Sequence, residues 1–157
     1  MPSPDPQPGP HVEPSSASAL TQAVHQSWWN VDRNHGVGNE LLYTEQGVCV
    51  MPARTMTGRA EVAEFFAARR ANGPRLSRHL VSNLVTDVVD HLNASATYVI
   101  TLYAQDGEAP LALAPPTMIA DATDHFVRDD DRWLIQRRVI EPVFVSAGSS
   151  PIPLPRN

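Results

Sequence analysis

The chain has 157 residues, of which 42% are hydrophobic, and a formal net charge of −5. This length fits one domain with its own core, and the acidic balance argues against nucleic acid as a partner, because phosphate binding needs a basic face. No apolar run approaches the roughly 18 residues that cross a bilayer. We therefore expect no membrane span, no secretory signal and a cytoplasmic protein.

Two features of the composition limit the chemistry. Cys49 is the only cysteine, which excludes an internal disulfide and a thiolate metal cluster, and its apolar neighbours predict a buried thiol. All twelve basic residues are arginine. A Schiff base on a lysine is therefore excluded, and with it pyridoxal phosphate held as an internal aldimine. We expect neither a cofactor nor a metal site.

Prolines concentrate at the two ends of the chain, over residues 1–15 and 146–157. Proline removes a backbone donor and resists both helix and sheet. We predict two disordered, proline-rich tails around one folded domain, residues 16–145.

The first part of the domain predicts helices and a short hairpin. A helix near residue 20 has its cap at Ser16 or Ser18. Its apolar residues recur at steps of four, four and three, which is typical of one buried helix face: Leu20, Val24, Trp28 and Val31. The elements predicted next are a turn of helix over 39–43, strands over 47–52 and 53–57, and a helix over 58–71 capped by Thr57.

From residue 77 the apolar period changes from 3.6 to 2, which predicts four long antiparallel strands beginning near 77, 94, 118 and 133. On the first strand, this alternation places four residues on one face: His79, Val81, Asn83 and Val85.

Adjacent polar residues on the later strands point to opposite faces. One residue of the pair Asp124 and His125 therefore faces inward, and so does one of the pair Arg137 and Arg138. Both faces of the predicted sheet are substantially apolar, so helices are expected to cover one face and a partner subunit the other.

Four segments match a pattern found in known proteins: Asp32 closing the first helix, Thr57-Gly58-Arg59, the run from Arg78 to Asn83, and the run from Arg132 to Ile135. With these segments the sequence resembles the NTF2-like superfamily, and in particular its SnoaL-like branch. The resemblance implies an α+β cone, with about three N-terminal helices on the concave face of a strongly bent mixed or antiparallel sheet, around an apolar pocket. It also implies a homodimer formed through the convex sheet face.

The superfamily contains enzymes similar to scytalone dehydratase, a dehydrochlorinase, ketosteroid isomerases, polyketide cyclases and domains without catalysis. In the dehydratase and dehydrochlorinase patterns, an aspartate ending the first helix orients a histidine on the third strand, and Asp32 and His79 occupy the matching positions. A carboxylate on one ring nitrogen fixes the tautomer, so that the other nitrogen can accept a proton. The resemblance thus implies proton abstraction next to a carbonyl or a leaving group.

The resemblance is incomplete. The second pocket histidine of the dehydratases has no counterpart on the strand after His79, and Val31 replaces the tyrosine before the aspartate. These departures argue against the scytalone reaction itself. Ketosteroid isomerase fits less well, because Trp28 stands where its helix tyrosine would be and the first hairpin lacks an aspartate.

The leading hypothesis is a cofactor-independent lyase or isomerase, with His79 and Asp32 as catalytic residues. It would act by dehydration, elimination or cyclisation on a small hydrophobic or polyketide-like metabolite. The expected substrate pocket consists of Trp28, Tyr43, Phe65, Asn83 and Tyr98. Two alternatives remain open: a non-catalytic small-molecule-binding domain with the same fold, and a dimeric assembly module whose pocket is vestigial.

Overall fold

The computed structural model describes residues 15–148. Within this range the fold is α+β, with one six-stranded sheet and two α-helices, α1 (Ser16–Arg33) and α2 (Gly58–Ala71). The strands are β1 (Tyr43–Met51), β2 (Arg54–Thr57), β3 (Arg75–Val88), β4 (Asn93–Asp106), β5 (Met118–Asp129) and β6 (Arg132–Val145). Apart from Ser15 and residues 146–148, the predicted proline-rich tails lie outside the described residues.

The strands follow the order β2-β1-β6-β5-β4-β3. All neighbours are antiparallel except β1 and β6, which run parallel, so the sheet is mixed. This crossover places the short N-terminal hairpin beside the last strand. Helix α1 packs on β3, β4 and β6, and α2 packs on β1 and β2. Side chains of both helices line one cavity together with residues of the sheet, so the helices cover the same sheet face.

Helix α1 begins at Ser16, and its cap is Ser15 rather than the predicted Ser16 or Ser18. The Ser15 hydroxyl accepts the backbone N–H of Ser18 at 3.3 Å, which satisfies an otherwise free donor of the first turn. The predicted apolar stripe is confirmed, because all four of its members are buried: Leu20, Val24, Trp28 and Val31.

The third helix expected over 39–43 is instead a short 3-10 helix, Asn39–Leu42. It follows Gly38, whose φ of 74° is left-handed, and Tyr43 is already extended, which leaves room for a single turn. The preceding Gly36 also has a positive φ, 73°, and a Cβ there would lie 2.2 Å from the Phe66 ring. Glycine is therefore required at residue 36 by both conformation and space.

Helix α2 has the predicted bounds, but its capping differs from the prediction. The Thr57 side chain makes no capping hydrogen bond. Instead, the Glu61 carboxylate accepts the backbone N–H of Thr57 at 2.8 Å, a contact that the residue one position earlier makes in a capping box.

Strand β3 contains a bulge that the sequence pattern did not predict. Its pairing with β4 shifts between Ser82 and Val85, and Asn83 has a φ of 52°. The extra residue reverses the alternation. Leu84 packs against the core, while Asn83 and Val85 are exposed, so the expectation that Asn83 and Val85 share the face of His79 was wrong.

The sheet face opposite the helices carries a mostly apolar row that crosses four strands. The register places its four members side by side: Leu80, Thr101, Ile119 and Phe144. Leu80 is 50% exposed and Phe144 is 66% exposed. We call these four residues the outer row.

Candidate active site

Asp32 lies in the last turn of α1, and His79 lies on β3. The Asp32 Oδ1 atom is 2.7 Å from Nδ1 of the His79 ring. The other carboxylate oxygen accepts the backbone N–H of His79 at 2.7 Å. The hydroxyl of Ser77 donates to Oδ1, also at 2.7 Å. Three donors therefore hold the carboxylate, and the two side chains that the sequence predicted to pair are in hydrogen-bonding contact.

The surroundings determine the charge of this pair. Burial alone would raise the pKa of Asp32, but the hydrogen bonds and charge of His79, with the bond from Ser77, hold that pKa below its usual range. Burial lowers the pKa of His79, Asp32 opposes this, and the nearby cations Arg69 and Arg138 lower it further. Near neutral pH the geometry thus favours a carboxylate beside a neutral imidazole.

The carboxylate favours the tautomer that carries the proton on Nδ1, because Nδ1–H can then donate to Oδ1. No residue within 15–148 hydrogen-bonds to Nε2 of His79. This nitrogen keeps its lone pair available, which is the arrangement that a general base requires.

The His79 ring packs against Trp28, which belongs to a buried network with Tyr98, Asp124 and Arg138. The indole ring of Trp28 stacks on the His79 ring, with centroids 4.4 Å apart, and the guanidinium of Arg138 lies 4.6 Å from the Trp28 ring centroid. Arg138 donates two hydrogen bonds to Asp124, at 2.6 and 2.7 Å. The Tyr98 hydroxyl accepts from the indole N–H at 3.1 Å and donates to Asp124 at 3.0 Å.

This network is almost closed to solvent, since Asp124 is 0% and Arg138 2% exposed. Burial opposes the charge of Arg138, but Asp124 holds the pKa of Arg138 well above its usual range. The network fixes the position of Trp28, and therefore of the ring against which His79 packs.

A cavity of about 90 Å³ lies between the helices and the sheet, and His79 forms part of its wall. Most of the wall is apolar and includes Val62, Phe66, Ile100, Leu102, Met118 and Ile140. The volume is smaller than the roughly 150 Å³ apolar cavity that holds benzene, so even a ligand with a single ring would have to extend through the mouth. Apolar walls with a few polar groups are typical of small-molecule sites.

The predicted pocket residues have different positions. Trp28, Tyr43 and Phe65 line the cavity. Tyr98 is absent from the lining and instead joins Trp28 to Asp124. Asn83 is exposed and also absent from the lining, because the β3 bulge turns it away.

Several residues of the site were not singled out from the sequence. Ser77 could have been, because it lies two positions before His79 and therefore on the same strand face. Arg69 could have been, since it follows Phe66 by three residues on a helix. For Asp124 and Arg138, the sequence established only that one member of each adjacent pair faces inward.

Two further surveys concern the described residues, 15–148. No group of three or more His, Cys, Asp or Glu side chains there could hold a metal ion. No helix in that range is long and apolar enough to cross a membrane. The sole cysteine, Cys49, is buried in the cavity wall, and burial raises the pKa of its thiol.

Solved structures with the same fold have low sequence identity to this chain. A protein from Novosphingobium aromaticivorans, provisionally assigned as a scytalone dehydratase, superposes with a TM-score of 0.72 at 19% identity, over 87% of this chain and 90% of its own. A protein from Catenulispora acidiphila, solved in complex with S-DNPA, gives 0.65 at 20% identity, over 79% and 90%. An NTF2-like protein with a cystatin-like fold from Novosphingobium aromaticivorans gives 0.64 at 17%, over 82% of each chain. At these identities the likeness shows the fold alone.

A search among curated proteins found no significant match. The model of the SnoaL-like domain, in contrast, matches residues 14–139, which include both helices and most of the sheet. The chain therefore belongs to the SnoaL-like domain family.

Proposed function

We propose that the protein is a cofactor-independent lyase or isomerase that acts on a small hydrophobic or polyketide-like metabolite. The observation that carries the proposal is the state of His79. Its Nδ1 is held by Asp32 at 2.7 Å, its ring forms part of a cavity wall, and its Nε2 has no partner within residues 15–148. The enclosed volume favours the smaller members of this substrate class.

In the proposed reaction, Nε2 of His79 removes a proton from a carbon next to a carbonyl group. The electron pair of the broken C–H bond forms an enolate, and Asp32 stabilises the imidazolium that results. In a dehydration, the enolate expels a β-hydroxyl group, which takes the proton from Nε2 and leaves as water. In an isomerisation, the proton returns to another carbon.

One histidine can serve both steps, because the group that accepts the first proton is then the acid that donates it. The proposed reaction therefore does not need a second pocket histidine on β4, where the sequence has none. A positioned general base of this kind contributes roughly 10²- to 10⁴-fold to a rate.

The non-catalytic alternative is supported by the other contacts of Asp32. Two of its three hydrogen bonds, from the backbone of His79 and from Ser77, tie α1 to β3 and would be useful without any reaction. A small-molecule-binding domain would keep these contacts and leave its ligand unchanged.

The test is deuterium exchange. Small cyclic β-hydroxyketones that bind the protein are incubated with it in D₂O, and ¹H NMR follows loss of the α-proton and appearance of the enone. We expect exchange by the wild-type protein and a loss of roughly 10²- to 10⁴-fold in His79→Ala. His125→Ala, which removes an exposed histidine on β5, serves as the matched control and should keep full activity. Equal exchange in wild type and His79→Ala, or bound ketones that exchange no faster than in buffer, would refute the proposal.

A further inference from the structure

The cavity wall is positively charged, although the chain as a whole carries −5. Three arginines belong to the wall: Arg69, Arg75 and Arg138. No aspartate or glutamate of the described range, 15–148, belongs to it. A ligand inside the cavity therefore faces cations without a carboxylate at the wall to repel an anion.

Only some of these cations are neutralised. Arg138 is bound by Asp124 through two hydrogen bonds, and Arg75 lies 2.8 Å from Asp106. Arg69 forms an ion pair with no residue in the range 15–148, and its one hydrogen bond there is to the Ser77 hydroxyl, at 3.1 Å. Because a guanidinium carries five N–H donors, Arg69 keeps donors available for a ligand.

Arg69 also lies where a ligand would enter. Most of the wall is buried; apart from His79, the wall residues that keep some exposure are Met51, Pro52, Phe65, Arg69 and Arg75. Several of them adjoin one another, because Arg54 pairs with Met51 and lies over Phe65, which is one helical turn from Arg69. These residues mark the mouth. The guanidinium of Arg54 adds a further positive charge there, 5.7 Å from the Phe65 ring centroid.

A short chain of contacts joins Arg69 to the candidate base. The Ser77 hydroxyl accepts from Arg69 and donates to Asp32, which in turn holds His79. A group bound by Arg69 would consequently lie close to the imidazole. Burial and the charge of Arg75 lower the pKa of Arg69, and Asp32 opposes this only in part, so an anion at this place would favour the charged guanidinium.

We propose that the substrate is an apolar carboxylic acid whose carboxylate is bound by Arg69 at the mouth, while its apolar part fills the cavity beside His79. A planar guanidinium fork matches a carboxylate with two parallel hydrogen bonds. This inference rests on the proposed function for the reaction at His79, since it names the substrate class of the same site. Binding of the acid, however, does not depend on His79 acting as a base.

The test compares acids with amides of the same skeleton. Crotonate and benzoate, with crotonamide and benzamide, are titrated near pH 7 into ¹³C,¹⁵N-histidine-labelled protein, and NMR follows the His79 ring. We expect each acid to bind at least about tenfold more tightly than its amide, which corresponds to about 1.4 kcal/mol. The bound acid should also raise the pKa of His79, because it offsets a nearby cation, whereas the amide should not.

Variants assign the preference to one side chain. Arg69→Gln should bring the ratio of acid to amide affinity close to one. Arg70→Gln, on the same helix, removes an exposed arginine bound to the His35 carbonyl and should leave the ratio unchanged. Arg69→Lys keeps the charge without the fork, so it should retain a reduced preference and the pKa response even if Arg69→Gln does not fold.

The proposal is overturned if neither acid binds more tightly than its amide, or if the preference persists in Arg69→Gln. Loss of both the preference and the pKa response in a folded Arg69→Lys would overturn it as well. His79→Ala separates this inference from the proposed function, because it should keep the preference for acids. Acids that bind through Arg69 while bound ketones exchange no proton would refute the reaction alone.

Discussion

The buried ion pair between Asp124 and Arg138 gives the sharpest stability prediction. Asp124 is 0% exposed and accepts three hydrogen bonds, two from Arg138 and one from Tyr98. Asp124→Asn removes the charge that compensates the guanidinium, which is itself only 2% exposed. Breaking a buried pair in this way costs about 3–5 kcal/mol, because one charge stays buried without a partner.

That cost is a large share of the roughly 5–15 kcal/mol by which a folded domain is stable. With a urea m-value of about 2 kcal/mol per M, a loss of about 4 kcal/mol lowers the unfolding midpoint by about 2 M. This midpoint is measured by urea titration, with circular dichroism and tryptophan fluorescence as the two signals. Asp121→Asn, which removes an exposed carboxylate on the same strand, is the matched control and should change stability by less than about 0.5 kcal/mol.

The double variant Asp124→Leu with Arg138→Met completes the experiment. Replacing both charges by apolar side chains leaves neither buried alone, so it should cost less than Asp124→Asn by itself. A loss below about 1 kcal/mol in Asp124→Asn would refute the reasoning, and so would a double variant that is less stable than the single one.

Three further predictions concern other parts of the molecule. Gly36→Ala should lower the free energy of unfolding by about 2–5 kcal/mol, because residue 36 has a left-handed φ and its new Cβ would overlap the Phe66 ring. Gly38→Ala has a similar φ but no atom within 4 Å of its new Cβ, so it should lower the free energy by only about 1–2 kcal/mol, as measured by thermal unfolding. The folded-state pKa values of both His79 and Asp32 are lowered, so the unfolded chain binds more protons than the folded chain in acid. Unfolding titrations should therefore show the free energy of unfolding falling below about pH 6.5, through His79, and again near pH 3.8, through Asp32. The first fall should disappear in His79→Ala. If the outer row is the surface of the predicted homodimer, Phe144→Asp should shift the sedimentation of a dimer to that of a monomer, and an unchanged dimer would exclude this face.

The helices were predictable from the sequence because their signals are local. The stripe of α1 and the bounds of α2 depend on residues within one or two turns, and both predictions are confirmed. The sequence did not predict that the helical turn over 39–43 is a 3-10 helix, because its length depends on the left-handed Gly38 and on where β1 begins. Local periodicity does not determine either feature.

Some residues of the candidate site could likewise be predicted from the sequence, and others could not. Contact between Asp32 and His79 was expected because both residues occupy positions that match the dehydratase pattern of the family that the sequence resembles. The bulge that turns Asn83 outward depends on how β3 pairs with β4, which the alternation of one strand cannot reveal. The choice of Asp124 and Arg138 as inward residues depends likewise on the arrangement of the whole sheet.

The most direct test of the central claim is the protonation of His79, measured by ¹⁵N NMR of histidine-labelled protein across a pH titration. The account predicts a neutral ring near pH 7, with the proton on Nδ1, a bare Nε2 and a pKa below 6.5. Asp32→Asn should disturb that tautomer, because the carboxylate that accepts from Nδ1–H is gone. An imidazolium near pH 7, or a neutral ring with its proton on Nε2, would contradict the assignment of His79 as the base.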